Sequence, residues 1–371
     1  MNGSKIRLSK SSISQKEKDA VLKVLDKEFL GMGEEVKLFE EKIKDYLKTT
    51  KDVVCVNTGT SALHLAIIAL DIGVGDEVLV PSLTYVASYQ AISATGAKPI
   101  SCEIDSKTLF INVNDARARV TKNTKAIMPV HYASNSKGID EVYTLAKEFD
   151  LRVIEDAAQA FGSKRDNKKV GTDGDIICFS FDGIKNITSG EGGAILSDDK
   201  DFISRVKDAR LLGVEKDSDK RFLGQRSWEF DVSHQGFRYH MSNIMATIGI
   251  VQIDRIDEFK TTRQNIAKNY VQELTNIKEI ELLDFNFDDL LPHIFVIKVK
   301  KRDELREYLI SNNIECGVHY KPNHLLTKYK EKYNLEITES IYNKIITLPC
   351  HNDLENDEQI YVIDKIKDFY E

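Results

Sequence analysis

Short apolar runs that lack polar alternation, each bounded by turn residues and followed by a helical stretch, constrain this chain more than any other feature. DVVCVN (52–57) precedes a helical stretch to about Leu70, EVLVP (77–81) one to about Ala94, and KAIMPV (125–130) one over Gly138–Phe149. LRVIED (151–156) and DIICFSF (175–181) are further runs of the same kind. Runs of this kind suit strands buried on both faces, and their alternation with helices predicts an α/β fold with a mostly parallel central sheet.

The flanks read differently. Ser14-Gln15-Lys16-Glu17 has the form of a capping box, and Val21, Leu22, Leu25 and Phe29 follow on one helical face until Gly31. Val36, Phe39, Ile43 and Leu47 announce a second helix. From about Ser242 a charge-laced helical stretch runs to roughly Leu274, then a strand HIFVIKV (293–299), a helix near Arg302–Asn312 and an amphipathic helix over about Glu355–Tyr370. With 371 residues, 42% of them hydrophobic, the chain can bury two cores. The expected division is a large α/β lobe over 1–245 and a smaller α+β lobe over 246–371.

Net charge is −7 with both signs interspersed and no basic block, so neither nucleic acid nor a membrane surface is the expected partner. No segment approaches the roughly 18 apolar residues of a membrane helix, and the N-terminus lacks a leader-like apolar stretch. A cytoplasmic location is expected. The five cysteines (Cys55, Cys102, Cys178, Cys316, Cys350) form no C-x-x-C pair and read as core thiols rather than a disulfide framework or a metal site.

Open α/β sheets bind ligands beyond the carboxyl ends of their strands, and four such junctions are unusual. Asn57-Thr58-Gly59-Thr60-Ser61 offers a glycine, hydroxyls and free N–H groups at a helix start, which suits a phosphate as well as an ordinary cap. Pro81-Ser82-Leu83-Thr84-Tyr85 puts an aromatic ring past a strand end, for stacking on a planar ligand or for the core. Val153 to Gln159 ends in two acids, and Asp156, followed by small alanines, has room to meet a cationic heterocycle nitrogen or to cap a helix. In the fourth, Lys185 follows a buried strand amid Gly183, Gly190, Gly192 and Gly193, where partial desolvation would make its amine a nucleophile toward carbonyls. Lysine, acid, phosphate cradle and aromatic lid are together what pyridoxal phosphate requires.

The motifs N-x-G-T-S-A-L-H (57–64), P-S-L-T-Y-V-A-S (81–88), E-D-A-A-Q-A-F-G-S (155–163) and F-S-F-D-G-I-K-N-I-T-S-G-E-G-G (179–193) resemble in combination the DegT/DnrJ/StrS sugar aminotransferases, a branch of the fold-type I pyridoxal-phosphate (PLP) enzymes. The likeness runs from Leu30-Gly31-Met32-Gly33 to Thr347-Leu348-Pro349. It implies Lys185 as the lysine that carries PLP and shuttles the proton, Asp156 as partner of the ring nitrogen, and Gln159 beside the ring's 3-hydroxyl. Gly59, Thr60, Ser61 and Ser180 would contact the phosphate, and Tyr85 would stack on the ring. The family's site is built at a homodimer interface, where a segment like Gly236–Ser242 reaches the neighbour's phosphate; many relatives carry asparagine where this chain has Arg238 or His240, and the resemblance leaves open which of the two makes the contact. His319-Tyr320-Lys321-Pro322-Asn323-His324 resembles the family's H-Y-x-P-x-H segment near the sugar nucleotide, so His319, Tyr320 and His324 are candidate substrate contacts. His131 is a similar case, whereas His64, one turn after Thr60, reads as packed.

The implied reaction moves an amino group from L-glutamate to a nucleotide-linked keto sugar. The loop K-N-I-T-x-x-E-G-G is more similar to enzymes acting at C4 of 4-keto-6-deoxy sugars than to the C3 enzymes, which favours dTDP-4-keto-6-deoxyglucose and a 4-amino-4,6-dideoxy product for a surface glycan such as lipopolysaccharide O-antigen. The rivals are a C3 aminotransferase, a sugar dehydratase of the same fold, in which histidine replaces the lysine, and a non-catalytic regulatory homologue.

Overall fold

The protein's structure, a computed structural model, describes residues 5–330 and 334–371. Helices α1 (Gln15–Asp26) and α2 (Glu34–Leu47) lead the chain. The capping box is present: the Ser14 N–H donates to Glu17 Oε2 at 2.8 Å, and Ser14 caps the first turn. The apolar stripe expected on α1 does not face the core, however. Val24 and Glu17 are buried, while Leu22, Leu25 and Phe29 are exposed on the single chain. The reason is a polar anchor, for the Glu17 carboxylate accepts from Arg255 Nη1 (2.8 Å) and Gln252 Nε2 (2.7 Å) and so turns the helix.

Strands and helices then alternate: β1 (Asp52–Val56), α3 (Gly59–Ala69), β2 (Glu77–Pro81), α4 (Val86–Ala94), β3 (Lys98–Cys102), α5 (Val113–Ala118), β4 (Thr124–Ile127), α6 (Ile139–Phe149) and β5 (Arg152–Asp156). A small hairpin, β6 (Lys164–Arg165) with β7 (Lys168–Lys169), precedes β8 (Ile176–Ser180), β9 (Gly193–Ser197), α7 (Lys200–Ala209) and α8 (Asp217–Phe222). Seven strands form one sheet in the order β1-β9-β8-β5-β4-β2-β3, parallel except for β9, which runs against both β1 and β8. Sequence patterning overlooks β3 because Pro99 interrupts it; the strand lies at the sheet edge, where a missing N–H is tolerated. Helix α3 is buried almost all round, which explains why it is apolar on every face.

The helical stretch after Ser242 is two helices, α9 (Asn243–Asp254) and α10 (Ile256–Leu274), broken at Arg255. Gly249 lets α9 lie against α2: a Cβ there would come within 2.4 Å of the Phe39 ring. Beyond α10 come β10 (Ile280–Leu282), β11 (Phe295–Val299), α11 (Arg302–Ser311), α12 (Glu336–Tyr342), β12 (Ile345–Leu348) and α13 (Asn356–Tyr370), with β10-β11-β12 forming an antiparallel sheet. Ile256 and Phe259 at the start of α10 sit in a core with β1, β8 and β9, whereas Ile266, Ala267, Tyr270 and Leu274 sit in the core of the small sheet. All five cysteines are buried and unpaired.

Burial alone would raise the Glu17 carboxyl, but hydrogen bonds from Ser14, Arg255 and Gln252 hold it down at about 2. A depressed carboxylate stabilises the fold above its unfolded value of 4.5 and loses that contribution as pH falls toward about 2. Glu17→Gln should therefore cost about 3 kcal/mol in urea unfolding at neutral pH, a difference from the parent that narrows on acidification below about 4.5.

Candidate active site

The carboxyl ends of β1, β2, β5 and β8 open into a cavity of about 500 Å³. It brings together Gly59, Thr60, Tyr85, Asp156, Gln159, Ser180, Lys185, His319 and Tyr320, residues drawn from positions 59 to 320 of the chain. A more open groove of about 610 Å³ beside α5 and α6 contains none of them.

One end of the cavity is shaped for an anion. Thr58 caps α3, accepting from the Ser61 N–H at 3.0 Å, while the Ser61 hydroxyl donates to Asn57 Oδ1 at 2.7 Å and does not line the cavity. The N–H groups of Gly59 and Thr60 lie in the first turn, where no intrahelical acceptor exists. Close approach makes the cradle compact: a Cβ on Gly59 would meet Ser180 Cβ at 2.6 Å, and one on Gly193 would meet the Thr58 carbonyl oxygen at 2.5 Å. The Ser180 hydroxyl is thereby held over the start of α3.

The other end holds a buried acid. Asp156, the last residue of β5, accepts from Ser88 Oγ (2.7 Å) and the Ala158 N–H (3.2 Å). Burial pushes its carboxyl up, and the two hydrogen bonds, with Lys185 and His131 beyond them, offset part of that rise. Gln159 is oriented at both ends, its Oε1 accepting from the Ala133 N–H (2.8 Å) and its Nε2 donating to Tyr320 Oη (3.2 Å). The Tyr85 ring is 58% exposed and lies 5.6 Å from the Tyr320 ring, a lid ready to cover a planar ligand.

Lys185 rises from the loop joining β8 to β9. Its Nζ is 3.4 Å from His293 Nε2. Burial lowers the lysine, with Asp182 and Asp156 pulling the other way. His293 is driven far down by burial, then by the cations Lys185 and Arg263. His319 falls to about 4, chiefly through burial; its Nδ1 pairs with Thr347 Oγ1 at 2.8 Å, and its carbonyl accepts from Tyr132. Ser88 and His293 escape functional notice in the sequence: Ser88 lies inside α4, and His293 opens a strand-like run that reads as structure.

The remaining candidates stand apart in the single chain. Arg238 and His240 line a separate cavity of about 150 Å³ beside Arg221 and Asp217, where burial and then Arg238 bring His240 to about 4. His324 is tied into the scaffold, Nδ1 to Ser82 Oγ at 2.7 Å and Nε2 to Glu339 at 3.2 Å. His131 pairs with Glu155 at 2.7 Å beneath Asp156. His64 is packed against Phe237 and Tyr239.

The donor set fits one group closely: a helix start and hydroxyl for a phosphate, an acid for a heterocycle nitrogen, a ring for stacking and a half-buried lysine for a carbonyl. Fold and site together define a fold-type I pyridoxal-phosphate transferase. The chain belongs to the DegT/DnrJ/EryC1/StrS aminotransferase family, whose pattern matches residues 11–367. It is 37% identical over 363 residues to GDP-perosamine synthase of Escherichia coli O157:H7, covering 97% of each chain. Among solved structures it is similar to DesV of S. venezuelae (30% identity, 96% of this chain and 95% of that one, TM-score 0.88). It is also similar to Spr1654 of Streptococcus pneumoniae in its PLP form (28% identity, 98% of each chain, TM-score 0.90), a protein also solved in a PMP form. The protein is thus a PLP-dependent sugar aminotransferase.

Because burial raises Asp156, the cofactor-free fold loses stability as pH climbs from the ordinary value of 3.8 through the raised one, and the full penalty applies above it. Asp156→Asn should accordingly raise the melting temperature of cofactor-free protein at pH 7 to 8 relative to the parent, while lowering amination by on the order of 10²-fold or more.

Proposed function

We propose that Lys185 holds PLP covalently and that the enzyme transfers the amino group of L-glutamate to C4 of a nucleotide-linked 4-keto-6-deoxyhexose. The observation that carries the reading is the single cavity in which Lys185, Asp156, Gln159, Tyr85 and the Gly59–Thr60 helix start converge with Ser180. The bound cofactor supplies an electrophilic carbonyl for the donor and an electron sink for the carbon that loses its proton. Asp156 would keep the ring nitrogen protonated, with Ser88 fixing its carboxylate, and Gln159 would meet the ring hydroxyl. Gly59, Thr60 and Ser180 would anchor the phosphate, whereas Ser61, turned to Asn57, would not; Tyr85 would cover the ring face, and Nζ of Lys185 would move the proton.

The sugar nucleotide enters past His319 and Tyr320, with His324 bracing that segment. dTDP-4-keto-6-deoxyglucose is the first acceptor to test, and a GDP-linked counterpart is its competitor because one relative is named GDP-perosamine synthase. A 4-amino-4,6-dideoxy sugar suits assembly of a surface glycan in the cytoplasm; no helix among the described residues is long and apolar enough to cross a membrane. The lobes divide at about 1–245 and 246–371, with α9 and the start of α10 packing back on the core of the large lobe and the rest of α10 on that of the small one.

A second copy completes the site in this reading. Leu22, Leu25, Phe29, Leu30 and Leu38 near the N-terminus, and Leu223, Trp228 and Phe230 ahead of Arg238, are exposed large apolar side chains of the kind a homodimer would cover. Arg238 or His240 would then reach the neighbour's phosphate.

PLP-loaded protein should show a visible absorbance band that shifts with glutamate and is absent in Lys185→Ala, which should lose on the order of 10²–10⁴-fold or more in kcat/KM. Incubation with glutamate and dTDP-, UDP- and GDP-linked keto sugars should give a C4 amine by mass and NMR; an amine at C3, or a deoxygenated product without nitrogen, would overturn the positional reading. In sedimentation the parent should be dimeric, and Leu25→Lys with Trp228→Ala should yield a monomer of greatly reduced activity; a fully active monomeric parent would refute the shared site.

A further inference from the structure

Lys185 has one basic neighbour that the reaction scheme does not use. Nε2 of His293 lies 3.4 Å from Nζ, and the two side chains meet at the wall of the cavity. The histidine is held at its backbone on both sides: its N–H donates to Ser134 Oγ at 3.0 Å, and its carbonyl accepts from Arg263 Nη1 at 3.1 Å. Arg263 is itself fully buried, bonded to Asn352 and to the Pro292 and His293 carbonyls rather than to a carboxylate. His293 Nδ1 is buried and has no protein partner.

These contacts decide which nitrogen carries the proton. If Nδ1 held it, a buried N–H would face no protein acceptor, an arrangement that is rare and costs about 1–3 kcal/mol. A proton on Nε2 leaves only a lone pair at Nδ1. With Nε2 protonated, the ring can donate to the lone pair of an uncharged amine, whereas an ammonium would bring donor against donor. The charged and titratable groups that act on His293 are Lys185, Arg263 and His319; Arg263 is a fixed cation and the other two add positive charge whenever protonated, so a second proton on the buried ring is disfavoured. Asp182 and Asp156 favour a charged lysine, yet burial outweighs them.

We propose that His293, neutral and protonated on Nε2, is a positioning residue that keeps Lys185 as a free amine, ready to attack a carbonyl, whenever the lysine is not bonded to the cofactor. The role rests on Lys185 being the cofactor lysine. It accounts for a lysine that feels two carboxylates being a free amine at the start of each half-reaction: the proton that Nζ takes up it also hands on, and none is retained by the pair.

The experiment uses cofactor-free full-length enzyme. Its first reading is the imidazole ¹⁵N shifts of His293, assigned by loss of the signal in His293→Gln; the second is the pH dependence of Lys185 modification by trinitrobenzenesulfonate, followed at the Lys185 peptide by mass spectrometry. The expected results are a neutral Nε2–H tautomer at pH 7 and a lysine midpoint below its ordinary 10.5. His293→Gln, whose amide oxygen accepts from an ammonium, should raise that midpoint by about one unit and slow neutral-pH modification about 10-fold. An unchanged midpoint in a folded variant overturns the proposal. So does an Nδ1–H or doubly protonated ring in the parent, the outcome expected if a water lodges in the void of about 20 Å³ that adjoins the ring and accepts from Nδ1. Loss of the same signal in His293→Asn gives a second assignment, so the parent's tautomer stays readable if His293→Gln fails to fold. A visible PLP band that persists in Lys185→Ala would count against the cofactor assignment and leave the tautomer and midpoint readable.

Discussion

The site depends on one rung of the sheet. Gly193 pairs with Val56 of β1 on one side and with Ser180 of β8 on the other, on β9, the strand of the large sheet that runs opposite to the other six. Reversing β9 keeps the Lys185 loop at the carboxyl edge instead of sending the chain across the sheet through a helix. The absent side chain at 193 lets this rung press against the Thr58 carbonyl, so the lysine loop and the anion cradle share a boundary. A register slip of one residue would turn Ser180 to the opposite face and dissolve that boundary.

Burial among the protein's own groups makes this pocket favour neutral side chains. Burial raises Asp156 and Tyr320 and lowers Lys185, His293 and His319, so each ionisation is disfavoured for the same reason. A phosphate at the start of α3 and a ring cation at Asp156 would supply the missing counter-charges together. The pocket is therefore arranged for a ligand that carries both signs a fixed distance apart, and a simple anion would satisfy only one end.

Much of this was legible in the sequence because the chemistry sits at strand ends, and strand ends are where apolar runs stop. Lys185, Asp156 and the Thr60 junction each follow such a run. Ser88 is hidden by its place inside α4, since only the tertiary fold brings it to Asp156, 68 residues away. His293 was hidden by distance, 108 residues from the lysine it touches. The stripe on α1 was visible but its direction was not, because the Glu17 to Arg255 pair, 238 residues apart, sets the helix rotation. Periodicity also runs straight through the break at Arg255, because Ile253, Ile256 and Phe259 keep helical spacing across it. His324 looked like a ligand contact, and its bonds to Ser82 and Glu339 are tertiary information that no local pattern carries.

Helix α10 belongs to two cores at once, with Ile256 and Phe259 in one and Ile266 to Leu274 in the other. During synthesis, the seven strands of the large sheet leave the ribosome before the residues that close their core. Until α10 emerges, the nascent sheet exposes the surface that Ile253, Ile256 and Phe259 will cover, and it is open to misassociation for that interval. The same helix then links the two halves mechanically, so loosening of the small sheet is transmitted to the core that α10 shares with β1, β8 and β9.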